Sequence, residues 1–300
     1  MKIVIVGLGT QGLKRLKIAG KKVVATVDPY NQQANFKKIK DIPINTYDAV
    51  FICTPDNAKY SIINFCIKNK KHILVEKPLN LNQVRFKRII KEIKQQKIIL
   101  YVAYNHRFEP NLIKVKKYLD KKKIGKIYYC KIFYGNGTAR LVKKSDWRDK
   151  GNGVLSDLGS HLIDLLFYWF DDYKFNFKKI GFFNYENKSS DNASIFSTNR
   201  KINVFLDMSL TSWKNEFTCE IVGSKGSLHV YNLCKWTDSI FYFRKRVLPS
   251  GVPKEKKIIE KKGDPTWLEE QKYFFNLIKN KKNLNLNYQI YNYNIIHNLK

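Results

Sequence analysis

Asp157 and His161 stand four residues apart in the run Gly153-Val154-Leu155-Ser156-Asp157-Leu158-Gly159-Ser160-His161. On a helix that spacing puts both side chains on one face, within reach of one ligand. An imidazole can take a hydroxyl proton near neutral pH, while a neighbouring carboxylate orients the ring and steadies its cation. The same spacing also fits a surface pair, so spacing alone does not decide. Lys77, between Glu76 and Pro78, ends an apolar run, and a strand-end lysine by itself carries no signal in a lysine-rich chain.

A second kind of chemistry is written near the N-terminus. Ile3-Val4-Ile5-Val6 leads into Gly7-Leu8-Gly9-Thr10-Gln11-Gly12, and Val23-Val24-Ala25-Thr26-Val27 ends on Asp28. Gly7 permits a tight turn, Gly9 lets backbone approach a pyrophosphate, and Gly12 lets a helix pack closely on the strand. The helix N-terminus then presents unpaired N–H groups and a positive dipole end to phosphates. Asp28 follows Gly7 by 28 − 7 = 21 residues, close to the ~20 expected of an acid that accepts hydrogen bonds from a ribose. A dinucleotide is implied. A carboxylate there without an adjacent Arg favours NAD over NADP, because it repels a 2′-phosphate.

These groups need elements to hold them. Apolar runs alternate with helical patterns through the first hundred residues, as in βαβ units with a parallel sheet. Strands are expected at Tyr47 to Thr54, His72 to Val75 and Ile98 to Tyr104. Helices are expected from Asn57 to Lys68, capped by Asp56, and from Asn82, with Val84, Phe86, Ile89, Ile90 and Ile93 as its apolar stripe. The carboxyl ends of the strands, where open α/β sheets bind cofactors, then carry Gly7, Asp28, Thr54, Pro55, Glu76, Lys77 and Asn105. With Gly9, Thr10, Gln11, Gly12 and a guanidinium from Arg148, which suits phosphate or carboxylate, these are the candidate cofactor contacts. After a helix at about Pro110 to Lys123 the pattern changes to a helix, Val154 to Phe170, and β-rich runs from Phe177 to Phe243. Asp264-Pro265 opens a further helix with Trp267, Phe274, Phe275 and Ile278 as its expected buried residues; the Asn- and Tyr-rich end, Asn283 to Lys300, receives no assignment. The division expected is a Rossmann domain over 1–120 and an α+β domain on a mainly antiparallel sheet over 121–300.

Composition bounds the rest. Three hundred residues, 44% hydrophobic, suffice for two cores. No apolar run reaches a membrane span and no leader pattern is present, so a cytoplasmic location is expected by default. Five cysteines without a CxxC pair support neither a disulfide framework nor a metal site. The net charge of +31 comes mostly from dispersed Lys, with only nine Arg, which argues against nucleic acid as a partner. A positive field would instead favour encounter with an anionic substrate.

Taken in order, Gly7-x-Gly9-x-x-Gly12, Thr54-Pro55, Glu76-Lys77-Pro78, Tyr104-Asn105-His106-Arg107-Phe108-x-Pro110, Ile124-Gly125-Lys126-Ile127, Trp147-Arg148 and Asp157-x-Gly159-x-His161-x-x-Asp164 resemble the Gfo/Idh/MocA oxidoreductases over nearly the whole chain. The resemblance implies a Rossmann domain followed by a domain whose open sheet carries the substrate site and often an oligomer interface, here a homodimer or tetramer. It implies hydride transfer at a hydroxyl-bearing carbon of a sugar, inositol or nucleotide sugar. By that likeness Lys77 meets both nicotinamide ribose and substrate, and Asp157 with His161 forms the acid–base pair. An ammonium from the front half and an imidazole from the back half must then serve one nicotinamide. Asn152 departs from a commonly seen glycine, although Asn tolerates left-handed backbone. Arg107 and Asp164 are left open between site and structural roles, and His72 and His229 are read as structural. The alternative in another class is a catalytically silent NAD-binding sensor.

Overall fold

The computed structural model describes residues 1–145, 148–170, 175–198, 201–282 and 284–299. They fall into two compact units, Met1–Asn105 with Trp267–Tyr293, and His106–Thr266 with Asn294–Lys300.

The first unit is built as β1 (Ile3–Val6), α1 (Thr10–Ala19), β2 (Val23–Val27), β3 (Ala49–Ile52), α2 (Asp56–Lys68), β4 (His72–Glu76), α3 (Gln83–Gln96) and β5 (Leu100–Ala103). The strands are parallel in the order β2-β1-β3-β4-β5. Every residue of β1, β3 and β5 is buried, which is why they read as continuous Val/Ile/Leu runs rather than alternating ones. Asn82 caps α3 by accepting from the Arg85 amide at 3.0 Å. Phe86, Ile89 and Ile93 form its buried stripe, while Val84, expected there, is 77% exposed. Asp56 does not cap α2 with its side chain; its carboxylate is bound instead by Lys59 and Asn80.

The second unit runs α4 (Pro110–Asp120), β6 (Ile127–Gly135), α5 (Ala139–Lys143), a π-helical turn (Leu155–Gly159) continuing into α6 (Ser160–Phe170), and then seven strands. These are β7 (Phe177–Phe183), β8 (Asn192–Thr198), β9 (Asn203–Ser209), β10 (Glu216–Gly223), β11 (Gly226–Tyr231), β12 (Ser239–Val247) and β13 (Gly251–Glu260). The sheet order is β13-β12-β11-β10-β6-β9-β8-β7. All neighbours pair antiparallel except β6 and β9. One face is covered, so β10 alternates buried and half-buried positions along its length. Leu162, Ile163, Leu165, Leu166 and Trp169 of α6 share a core with Ile132, Val204, Leu206 and Ile221 of the sheet.

β13 was not expected, because Lys254, Glu255, Lys256 and Lys257 give it no apolar signal. Those charges and Pro253 suit an edge strand that must not recruit another chain. Two helices close the chain, α7 (Thr266–Lys279) and α8 (Asn287–His297). In α7, Trp267, Phe274 and Leu277 are buried, whereas Phe275 and Ile278 are only half-buried. Among the described residues no helix is long and apolar enough to cross a membrane.

Candidate active site

In the first unit the glycine turn is shaped by backbone proximity. Gly7 adopts φ +94°, and a Cβ there would lie 2.7 Å from the Cys53 carbonyl oxygen; one on Gly12 would lie 1.8 Å from the Gly7 oxygen. Both positions therefore exclude any larger residue for internal reasons. Gly9 differs, since a Cβ built there meets no protein atom within 4 Å. Packing does not require that glycine, and the open space leaves its backbone approachable by a ligand. Gly9, Thr10 and Gln11 are exposed at the start of α1, which has no side-chain cap, so its first amides remain available to phosphate oxygens. At the end of β3, beside Pro55, the buried hydroxyl of Thr54 has no partner among the described residues.

Asp28 is fastened to the same turn. Its Oδ2 accepts from the Leu8 amide at 2.8 Å, and Oδ1 from Tyr30 at 2.9 Å and Asn31 at 3.0 Å. Burial works against its ionisation, but those amides and nearby Lys37 outweigh it and hold the carboxyl below its ordinary range. Asp28 is thus an anion that braces the glycine turn and retains lone pairs for a ribose. The residues present fit a dinucleotide.

Lys77, half-buried, lies between two locked neighbours. Glu76 accepts from Nε of the fully buried Arg15 at 2.8 Å, and the same guanidinium reaches Glu270 of α7 at 2.5 Å, with the Trp267 ring 4.3 Å away. Burial pushes the Glu270 carboxyl up to about 7 although Arg15 holds it, and Glu76 competes for the same cation. On the other side Lys59 Nζ donates to Asp56 at 2.6 Å and to the carbonyls of Glu76 and Pro78, both at 2.7 Å. Those two carbonyls flank Lys77, so Lys59 fixes the turn that carries it. Nothing in the sequence marks Lys59, because one lysine in a lysine-rich chain carries no signal. Asn105, at the end of the sheet, is buried.

In the second unit Asp157 falls within the π-helical turn and His161 in the first turn of α6. A π turn shifts the register of the side chains that follow it, and such turns recur at functional sites. The turn before it is pinned by Gly151 and Gly153, at φ +61° and +44°, while Asn152 is not left-handed and its side chain meets His297 at 3.3 Å. A Cβ on Gly153 would lie 2.1 Å from the Ser190 oxygen. Asp149 holds the opposing loop through the amides of Lys188 and Ser189.

Around His161, which is 6% exposed, the structure assembles a cluster. Its ring stacks on His106 with centroids 4.0 Å apart and planes 20° apart. The Tyr134 ring is 5.3 Å from His106, and Lys235 Nζ is 3.1 Å from both His106 Nε2 and the Tyr134 hydroxyl. Arg148 donates to Asp157 at 2.9 Å. Arg107 forks onto Asp164 through two bonds of 2.7 and 2.6 Å, the paired geometry of guanidinium and carboxylate. Burial raises the Asp164 carboxyl even so, with Arg107 opposing. In the sequence His106 stands only within the motif Tyr104 to Pro110 with no role of its own, and Tyr134 and Lys235 carry no mark. No spacing rule links residues 106, 134, 161 and 235. His72 accepts from the Ile99 amide and His229 meets Ser227, both local structural contacts. Trp147 lies outside the described residues.

Known proteins place this geometry in context. Residues 1–104 match the oxidoreductase family with an NAD-binding Rossmann fold, and residues 112–229 match the GFO/IDH/MocA C-terminal domain. The chain is 32% identical to myo-inositol 2-dehydrogenase of Thermotoga maritima over 123 residues, covering 40% of this chain and 35% of that protein. It is 28% identical to the NAD-dependent scyllo-inositol 2-dehydrogenase of Bacillus subtilis over 188 residues, 56% of this chain and 53% of that one. These matches thus span about half or less of the relatives' own lengths. In fold it is similar to the UDP-N-acetylglucosamine 3-dehydrogenase of Acidithiobacillus ferrooxidans, with a TM-score of 0.83, 16% identity, and coverage of 100% and 96% of the two chains. With an NAD(P)-type Rossmann unit and the second domain both matched, the chain belongs to the Gfo/Idh/MocA family of oxidoreductases.

Proposed function

We propose that this protein is an NAD-dependent dehydrogenase acting on a hydroxyl-bearing carbon of a sugar, with a sugar nucleotide or another anionic sugar as the favoured class. The observation that carries the proposal is the cluster of titratable side chains around His161. A proton-accepting ring held among other titratable side chains is what removal of a hydroxyl proton requires. A bound nicotinamide supplies the two-electron acceptor. His161 takes the proton as the C–H bond breaks, Asp157 steadies the charge, and Lys77 stabilises the substrate oxygen and positions it. Gly7, Gly9, Thr10, Gln11, Gly12, Thr54, Pro55 and Asn105 are assigned to the cofactor. Glu76 and Arg148 are assigned to orienting its neighbours through Arg15 and Asp157. The ionised Asp28 supports NAD over NADP, since it would repel a 2′-phosphate. The anionic class draws support from the net charge of +31 and from the nucleotide-sugar specificity in the name of one structural relative. A self-associated protein, dimer or tetramer, belongs to the same proposal.

The test is to incubate the purified protein with NAD or NADP and a panel of sugars, inositols and UDP- or GDP-linked sugars, following absorbance of the reduced cofactor. Reduction confined to nucleotide-linked or acidic members fixes the class. Reduction of neutral inositols alone overturns the anionic part, and no reduction across the panel in either direction overturns the dehydrogenase.

A further inference from the structure

Lys235 follows β11, and its Nζ contacts Nε2 of His106 at 3.1 Å and the Tyr134 hydroxyl at 3.1 Å, with the Trp236 ring 4.3 Å away. An ammonium has protons and no lone pair, so at the first contact it donates and Nε2 of His106 accepts. A neutral imidazole with a bare Nε2 carries its proton on Nδ1. The same His106 ring stacks on His161 at 4.0 Å. A fixed cation therefore stands one ring away from the candidate base.

We infer that Lys235 is a positioning residue of this site, fixing His106 as its neutral Nδ1–H tautomer and thereby keeping the stacked His161 unprotonated and ready to accept a proton. The neighbouring charges permit this. Burial pulls the Lys235 ammonium down to about 8, while Asp264, Glu109 and Asp157 face it and favour its charged form. The two carboxylates on the His161 segment are each met by a guanidinium, Asp157 by Arg148 and Asp164 by Arg107. Lys235 is a cation that bears directly on an imidazole of this cluster. Nothing in the spacing of the chain joins it to the other two residues.

That His161 then works as a base rests on the dehydrogenase proposal, whereas the tautomer of His106 is a property of the chain alone. Nitrogen-15 NMR of the full chain, which has five histidines, reads both. In the wild type His106 should carry its proton on Nδ1 and resist protonation. In Lys235→Met the apparent pKa values of His106 and His161 should each rise by about 1, a tenfold change in protonated fraction at fixed pH. Lys235→Arg, which keeps the charge, should restore much of the wild-type titration and serves as the second variant if the first fails to fold. A His106 proton on Nε2 in the wild type, or unmoved titrations in a folded Lys235→Met protein, overturns the inference. Shifted titrations in a protein that reduces no cofactor on the substrate panel would leave it standing and sink the dehydrogenase instead.

Discussion

The two units solve the problem of building a site in opposite ways. In the first, the ligand-facing groups are mostly backbone, namely the turn of Gly7 to Gly12 and the free amides of α1, and side chains only brace them. Asp28 ties down the turn, and the buried charges of Arg15, Glu76, Glu270 and Lys59 lock the strand end that carries Lys77. In the second, the candidate chemistry is a convergence of side chains from separate elements, His106 before α4, Tyr134 on β6, His161 on α6 and Lys235 after β11. A site made of backbone is set by local spacing and tolerates little variation. A site made of converging side chains can be rebuilt by changing one contributor, which suits substrate choice better than cofactor binding.

The sharpest way to break that contrast is His161→Ala. Turnover on the substrate identified by the panel should fall about 10²- to 10⁴-fold, while NAD affinity, followed by fluorescence titration, stays unchanged. Loss of NAD binding in that variant would show that cofactor and acid–base functions are not separable by unit. Next in size is Arg15→Met, which strands two buried carboxylates and should cost about 3–5 kcal/mol in urea unfolding; a loss below 1 kcal/mol would mean the buried ion triad does not brace the first unit. Lys59→Met leaves the Glu76 and Pro78 carbonyls without their donor and should cost about 1–3 kcal/mol, with a larger loss in turnover than in NAD affinity. Equal losses in both would place Lys59 in general stability rather than in the holding of Lys77. The smallest effect belongs to Asn82→Ala, which removes the α3 cap for about 1 kcal/mol and should leave turnover untouched, as measured by denaturation and steady-state kinetics side by side.

Legibility followed the same divide. The glycine turn, Asp28 and the strand-end positions of Thr54, Glu76 and Lys77 were readable because each depends on residues close in sequence. The strands of the first sheet were readable because burial on both faces leaves unbroken apolar runs. β13 was not, since an edge strand owes its place to backbone pairing with β12 and its residues are chosen to be repellent. Asp56 looked like a cap from its position before α2, but Lys59 and Asn80 compete for its oxygens. The Arg107–Asp164 pair spans 57 residues and no local pattern distinguishes it from a ligand-binding arginine.

By itself the sequence determined the family, the parallel first sheet, the turn that suits a dinucleotide, and the presence of Lys77, Asp157 and His161, because these are written in short spacings and hydrophobic periods. Only the tertiary structure decided that His106 stacks on His161, that Lys235 reaches His106 and Tyr134, that Arg15 is shared by Glu76 and Glu270, and that Lys59 clamps the turn around Lys77. Each of those depends on chain segments brought together by burial of distant apolar faces, and the energy that selects them is that of the whole core rather than of any local run.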